Sequence, residues 1–293
     1  MPRDKVRYLI LGAGGMLGTD LRAALPAKKV AAPLRGELDI RDAAAVLEAA
    51  QGVEVVINAA AYTRVDDAEA HEDEAHAINA VGAENAARAA AEAGAKFVQV
   101  STDYVFDGRA EEPYREDAPR NPAGAYGRTK AEGEERVLAA HPAPFIVRTA
   151  WLYGAAGGNF PRTMLRLAAE RDTVSVVTDQ MGQPTWTADL AGWILTLLDS
   201  GAAPGIYHGT SGGNATWFAF ARAVFEHAGL DPERVLPTDT ATFAPVAPRP
   251  AYSVLAHGAW TLAALDTPRD WTAALAEAFK RGVFEAELAR LAS

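Results

Sequence analysis

Across its first 154 residues the chain alternates short, continuous apolar runs with alanine-rich amphipathic segments, and this alternation constrains the fold more than any other feature. The apolar runs are VRYLILG (6–12), KVAAPL (29–34), VEVVINAA (53–60), AKFVQVST (95–102) and PFIVRTAWLYG (144–154). Between them, 15–25, 43–50, 74–94 and 129–140 carry helical spacing. Strands that are apolar at nearly every position need cover on both faces. The pattern therefore predicts a parallel sheet with helices on each side, joined by right-handed crossovers. After Gly154 the rhythm loosens. Helices are expected at 159–170, 188–199, 215–229 and 271–291, strands at 174–179 and 205–209, and an irregular proline-rich wall or lid over 231–252.

The turn after the first strand, LILGAGGMLGTDL, sets Gly12, Gly15 and Gly18 in the spacing GxxGxxG, with Gly14 offering a second reading, GxGxxxG. Backbone lacking Cβ approaches a pyrophosphate closely, and the first amides of the following helix point at the anion. Placed between strand and helix, the pattern predicts dinucleotide binding. The fold class follows: α/β, a Rossmann-type doubly wound parallel sheet with a smaller, discontinuous C-terminal substrate-binding lobe. The dinucleotide-binding domain is expected over 1–153 plus about 186–212, and the lobe over about 154–185 and 213–293. An acid at the end of the second strand favours NAD and a base favours a 2′-phosphate. Here APLRGELDIRD offers Arg35 and no adjacent acid, so the cofactor is NADPH or NADH with a tilt to NADPH, unless Arg35 is only a solvated loop charge. Asp39 and Ile40 are placed to flank the adenine.

Composition narrows the chemistry. The formal charge is −10, which lacks the basic footprint of a general nucleic-acid binder. No cysteine is present, which removes disulfides, thiolate catalysis and Cys-ligated zinc. No apolar run reaches the roughly 18–20 residues of a membrane span, and the N-terminal run is too short for a signal peptide. The expectation is a cytoplasmic protein without membrane or nucleic-acid partners. The six histidines are scattered, so no metal site is expected.

Open α/β sheets bind ligands beyond the carboxyl ends of their strands, which puts Ser101, Thr102 and Asp103 at the ligand edge. Tyr126 and Lys130 stand four apart at the start of a helix, in AYGRTKAEGE. A surface pair would explain them without chemistry. Together with Thr102 they also make a proton-donating site. A lysine one turn away, with the positive charge of an oxidised nicotinamide, is expected to lower the phenol pKa. Lys130 would hold the nicotinamide ribose, Thr102 a carbonyl oxygen.

These motifs resemble the extended short-chain dehydrogenase/reductase superfamily. Within it, NAAAYTRVDDAE (58–69), VSTDYVFDG (100–108), YGRTKAEGE (126–134), RTAWLYGAAGGNFPRTMLRLAAE (148–170), DQMGQPT (179–185) and RPAYSVL (249–255) resemble the dTDP-4-dehydrorhamnose reductase family. The resemblance implies NAD(P)H-dependent reduction of the 4-keto group of dTDP-4-dehydro-β-L-rhamnose to dTDP-L-rhamnose. It implies Thr102, Tyr126 and Lys130 as catalytic, and Gly15, Met16, Leu17, Asp39, Ile40, Ala61, Tyr62 and Thr63 on the cofactor. Val65, Asp103, Tyr104 and Trp151 would face a nucleotide-sugar substrate, and Arg249 its diphosphate, with Arg162 or Arg166 as substitutes. Gln180 and Thr185 would shape the pocket. Tyr252 and Ala256 depart from the family pattern, Ala256 standing where a carboxylate is expected. Some relatives hold magnesium at a dimer interface; Asp20 is the nearest equivalent here, and no metal is expected. The chain is expected to be a monomer or homodimer. Alternatives are a nucleotide-sugar 4-epimerase or dehydratase of the same superfamily, or a non-catalytic nucleotide-binding regulatory subunit. A dehydratase would carry Asp-Glu where this chain has Asp103-Tyr104.

Overall fold

The first apolar run becomes strand β1 (Tyr8–Leu11), all four residues buried, in a computed structural model that describes residues 6–291. The glycine turn leads into α1 (Met16–Ala24), followed by a two-residue strand β2 (Val30–Ala31) and by α2 (Ala43–Ala49). The Asp42 side chain caps α2 by accepting from the amides of Ala44 and Ala45. After β3 (Val55–Asn58) and the single turn α3 (Val65–Ala68), the helix expected at 74–94 appears as α4 (Glu72–His76), a π-helical stretch at Ala77–Gly82, and α5 (Ala83–Glu92). Next come β4 (Lys96–Thr102), α6 (Ala125–Ala140) and β5 (Phe145–Thr149).

The strand expected at 144–154 is broken. Trp151 has φ 47°, which no strand accommodates, and the chain resumes as β6 (Leu152–Tyr153). The lobe then contributes α7 (Phe160–Glu170), capped by Asn159, and three short strands, β7 (Val174–Val177), β8 (Met181–Gly182) and β9 (Thr185–Trp186). The chain returns to the main sheet through α8 (Thr187–Ser200) and β10 (Gly205–His208). It leaves again through β11 (Ala215–Thr216) and α9 (Trp217–His227). The segment 231–252 is more ordered than its prolines suggest, holding β12 (Val235–Thr238) and α10 (Thr240–Phe243). β12 pairs only with β7, and an edge strand of this kind accepts Pro237. α11 (Gly258–Leu262) was not foreseen. The closing helix is two, α12 (Trp271–Lys280) and α13 (Glu285–Leu291), parted by Gly282 at φ 72°.

The main sheet has the order β10-β5-β4-β3-β1-β2, with every pairing parallel. One apolar core, around Val56, Phe97 and Ile146, joins the sheet to α2, α5 and α6. A second, around Ile10, Leu21, Ile194 and Trp260, joins its other face to α1, α8 and α11. A third, around Tyr153, Leu165, Trp186, Phe220, Phe225 and Phe284, belongs to the lobe. The strand order turns at β1, with β2 on one side and β3 on the other. That switch point opens a crevice at the carboxyl ends of the strands. No described helix is long and apolar enough to cross a membrane.

Candidate active site

A cavity of about 610 Å³ runs along this edge of the sheet. At one end lies the glycine turn. Gly12 has φ 81°, and a Cβ there would sit 2.5 Å from the Ala60 amide nitrogen; one at Gly18 would sit 2.2 Å from the Gly12 carbonyl oxygen. Any side chain at either position would force α1 away from β1 and β3. α1 also begins without a side-chain cap or an acidic residue in its first turn. Its free amides therefore face the cavity ready for an anion. The turn fits a dinucleotide pyrophosphate.

Gly12, Gly15, Met16, Leu17, Gly18, Arg35, Asp39, Ile40, Ala61 and Thr63 all line this cavity, as do Val65, Thr102, Asp103, Tyr104, Tyr126, Lys130 and Trp151. Gly14, Tyr62, Arg162, Arg166, Gln180, Thr185 and Arg249 do not. Gly14 is exposed, and a Cβ there would meet the Leu34 side chain at 3.3 Å. Tyr62 is buried, its hydroxyl donating to Asp67 Oδ2 at 2.5 Å and its ring lying under the Arg64 guanidinium. Arg249 donates through Nη2 to Asp66 Oδ2 at 2.5 Å, while its buried Nη1 has no partner. Its charge and hydrogen bonding also act on the phenol of Tyr104, which does line the cavity, so Arg249 stands beside the lining. Arg162 is held by Glu287 and the carbonyls of Ala155 and Val283, and Arg166 pairs with Glu170 one turn on. Gln180 donates to Thr240, and Thr185 is buried with its hydroxyl on the Gln183 carbonyl. Ala256 is fixed by backbone alone, its amide donating to Tyr114 and its carbonyl facing His208 Nδ1. The amide of Tyr252 donates to the Gly108 carbonyl. Asp20 accepts from Thr187, and no metal-holding cluster of acids and histidines occurs among the described residues.

Near the end of the cavity lined by Arg35 and Ile40, hydrogen bonds from Arg41 hold the Asp39 carboxyl at about 2, against an opposing effect of burial. Arg35 is exposed and stands 3.7 Å from Glu74.

The chemical end is built by β4 and α6. The α6 N-terminus has no cap of its own; Glu69 Oε1 accepts from the Ala125 amide at 2.8 Å. A Cβ at Gly127 would lie 2.2 Å from the Tyr104 carbonyl oxygen, so only glycine lets the first turn of α6 press against the β4 terminus. This contact brings Tyr126 beside Thr102 and sets its ring edge-on to Tyr104, centroids 5.5 Å apart. Burial pushes the Tyr126 phenol up, the facing Thr102 hydroxyl works the other way, and Asp103 and Tyr104 add to the rise. Lys130 is not among the groups that move the Tyr126 phenol here, where desolvation dominates. Lys130 itself is buried and drawn down to about 8 by desolvation, with Glu134 opposing. Its Nζ donates to the Val100 carbonyl at 2.7 Å, leaving two N–H groups. The Thr102 hydroxyl donates to Asp103 Oδ1 at 2.9 Å. Burial lifts Asp103 to about 6, against hydrogen bonds from Ser253 and Thr102, and its Oδ2 has no well-aligned partner.

Beneath this group lies a pair the sequence reading passed over. Arg148 donates to Glu134 through Nε at 2.9 Å and Nη2 at 2.7 Å, both side chains fully buried, and Ser101 donates to the same carboxylate at 2.6 Å. Tyr126, Lys130 and Glu134 recur every fourth residue along one helix face. An arginine inside an apolar central strand was the available signal, because a buried charge needs a partner. Trp217, also on the cavity wall, had none.

Known proteins are similar to this chain. A family model described as RmlD substrate binding domain matches residues 6–283. A dTDP-4-dehydrorhamnose reductase of Streptomyces griseus is 48% identical, covering 95% of this chain and 94% of its own length. A dTDP-4-keto-6-deoxy-D-glucose reductase of Streptomyces niveus is 47% identical, covering 93% and 96%. Among solved structures, dTDP-4-dehydrorhamnose reductase from Bacillus anthracis in complex with NADP superposes with a TM-score of 0.91 at 40% identity, covering 94% of this chain and 99% of that one.

Proposed function

We propose, because the chain belongs to the RmlD substrate binding domain family, that it is an NAD(P)H-dependent oxidoreductase reducing the 4-keto group of dTDP-4-dehydro-β-L-rhamnose to dTDP-L-rhamnose, with Tyr126 as proton donor. The observation that carries the reading is the presence of Thr102, Tyr126 and Lys130 in one cavity with the glycine turn. The reduced nicotinamide, when bound, supplies the hydride for the carbonyl carbon. Gly12, Gly15, Met16, Leu17 and Gly18 hold the pyrophosphate, and Ala61 and Thr63 line its path. The two remaining N–H groups of Lys130 hold the ribose. Arg35 supports NADPH over NADH.

Tyr126 gives its proton to the carbonyl oxygen. A phenol raised by burial is fully protonated at neutral pH, which is the form a donor needs. Thr102 orients the oxygen. The ketone gains one hydride and one proton, so each alcohol formed consumes one NAD(P)H and one H⁺. The lobe over about 154–185 and 213–293 carries the sugar nucleotide, with Val65, Asp103, Tyr104 and Trp151 facing it. Tyr104 stands where elimination would need a glutamate, and its phenol is pushed up to about 12 by burial, so it offers no base at neutral pH.

The test is spectrophotometric. Purified protein is mixed with dTDP-4-dehydrorhamnose and NADPH, then NADH, and the absorbance of the reduced nicotinamide is followed. One equivalent consumed per sugar supports the reading; no consumption with either cofactor refutes it and favours the epimerase or the regulatory subunit. A second substrate, dTDP-4-keto-6-deoxy-D-glucose, merits the same assay because the Streptomyces niveus relative is 47% identical.

A further inference from the structure

Tyr126 is the second residue of α6, so the place of its phenol depends on how the first turn of that helix is anchored. The turn starts from Gly124, which has no side chain to cap it, and it contains no acidic residue. Gly124 and Ala125 are both buried, so an unmatched amide there would find no water. The acceptor comes from 56 residues earlier: Glu69, which ends α3, takes the Ala125 amide on Oε1 at 2.8 Å. A Cβ at Gly124 would sit 2.7 Å from that same oxygen, so the carboxylate occupies the place where a capping side chain on residue 124 would stand. The segment that carries Glu69 is itself anchored. Val65 opens α3 and lines the cavity, and Asp66 accepts from the Ala247 amide at 2.9 Å and from Arg249.

We propose that Glu69 is a positioning residue for the proton transfer: by capping α6 from outside the helix, it holds the Tyr126 phenol beside Thr102. This rests on the reductase reading above. Glu69 binds the residue next to Tyr126 and does not itself line the cavity, so it acts through the phenol. Without the carboxylate the Ala125 amide leaves its helical place to find another partner, and Tyr126 moves with it. A proton donor displaced by about 1 Å loses roughly 10² in rate. In the same reading the cofactor is held by other groups, the glycine turn and Lys130, whose Nζ is fixed on the Val100 carbonyl one helical turn further on. Loss of the cap therefore slows the proton step and spares cofactor affinity.

The experiment compares Glu69→Ala, Glu69→Gln and Gly124→Ala with the wild type, and Glu69→Ala again in a Tyr126→Phe background. It reads kcat and KM for the ketosugar, the NADPH Kd and the melting temperature. Glu69→Ala is expected to lower kcat roughly tenfold to hundredfold and to leave the NADPH Kd within about twofold of wild type. Glutamine keeps an acceptor oxygen for the Ala125 amide and should restore kcat to within about threefold. Gly124→Ala displaces the same carboxylate from the other side of the bond, pushing only the tip of a flexible side chain, and should lower kcat in a folded protein. In the Tyr126→Phe background, Glu69→Ala should cost nothing more, because a residue that acts through the phenol has nothing left to act on. A purely structural role would instead cost the same in both backgrounds, and that result overturns the inference. So does an unchanged kcat in folded Glu69→Ala, or a glutamine variant as slow as the alanine one. If Glu69→Ala does not fold, Gly124→Ala decides, and wild-type kcat in that variant overturns the inference. Wild-type turnover of the ketosugar tests the functional reading separately, so the two failures are distinguishable.

Discussion

Replacing Glu134 by glutamine removes one charge from a fully buried pair while keeping the side-chain shape. In the native protein the carboxylate accepts two hydrogen bonds from Arg148, at 2.9 and 2.7 Å, one from Ser101 at 2.6 Å and one from Arg120 at 3.2 Å. Glutamine has one acceptor oxygen, and its NH₂ would meet donors. The Arg148 guanidinium is left buried and uncompensated. Breaking such a pair from one side costs about 3–5 kcal/mol, against a total stability of roughly 5–15 kcal/mol. Burial acts to raise the Glu134 pKa, but the hydrogen bonds and charge of Arg148, with help from Ser101 and Arg120, hold it below its ordinary value of 4.5. A depressed carboxyl contributes stability that is present above that ordinary value and lost as pH falls through the folded one. Urea titrations at neutral pH should therefore show the full gap between wild type and variant, and titrations in acid should show it closing. The same carboxylate supports the charge on Lys130. In the variant, NADPH affinity should begin to fall at lower pH than in the wild type. A neutral-pH gap below about 1 kcal/mol, the range of exposed pairs, would refute the reasoning.

Gly18→Ala places a methyl 2.2 Å from the Gly12 carbonyl oxygen and 2.8 Å from the Ala13 Cα, backbone that has nowhere to move. A loss of about 1–3 kcal/mol of stability and a much larger loss of NADPH affinity are expected, read by thermal melts and cofactor titration. Asp103→Asn removes a carboxyl that burial raises from 3.8 to about 6. A raised pKa gives stability that is complete below the unfolded value and lost as pH rises through the folded one. The variant should therefore gain up to about 3 kcal/mol on the wild type near pH 8 and nothing near pH 3; equal melting differences at both would count against burial as the cause.

The sheet was legible because its strands are apolar throughout and its helices are amphipathic, so periodicity alone separates them. The glycine turn, Thr102, Tyr126 and Lys130 were legible because each sits at a strand end or a helix start. What escaped depends on contacts distant in sequence. Trp151 breaks its strand through a left-handed backbone, its indole packed against Gly182 and Trp217, neither of them near it in the chain. The Tyr126 phenol is raised by desolvation, with Asp103 and Tyr104 adding to the rise, burial and neighbours that YxxxK spacing does not encode. The Arg249–Asp66 pair joins residues 183 apart in the chain, which no local pattern encodes.

The most direct test of the central claim is the turnover of Tyr126→Phe. Phenylalanine keeps the edge-on contact with Tyr104 and removes only the hydroxyl. Measured with saturating dTDP-4-dehydrorhamnose and NADPH, kcat should fall roughly 10²- to 10⁴-fold while NADPH affinity stays within about twofold of wild type. A folded variant that retains more than about a tenth of wild-type kcat would show that the proton comes from elsewhere.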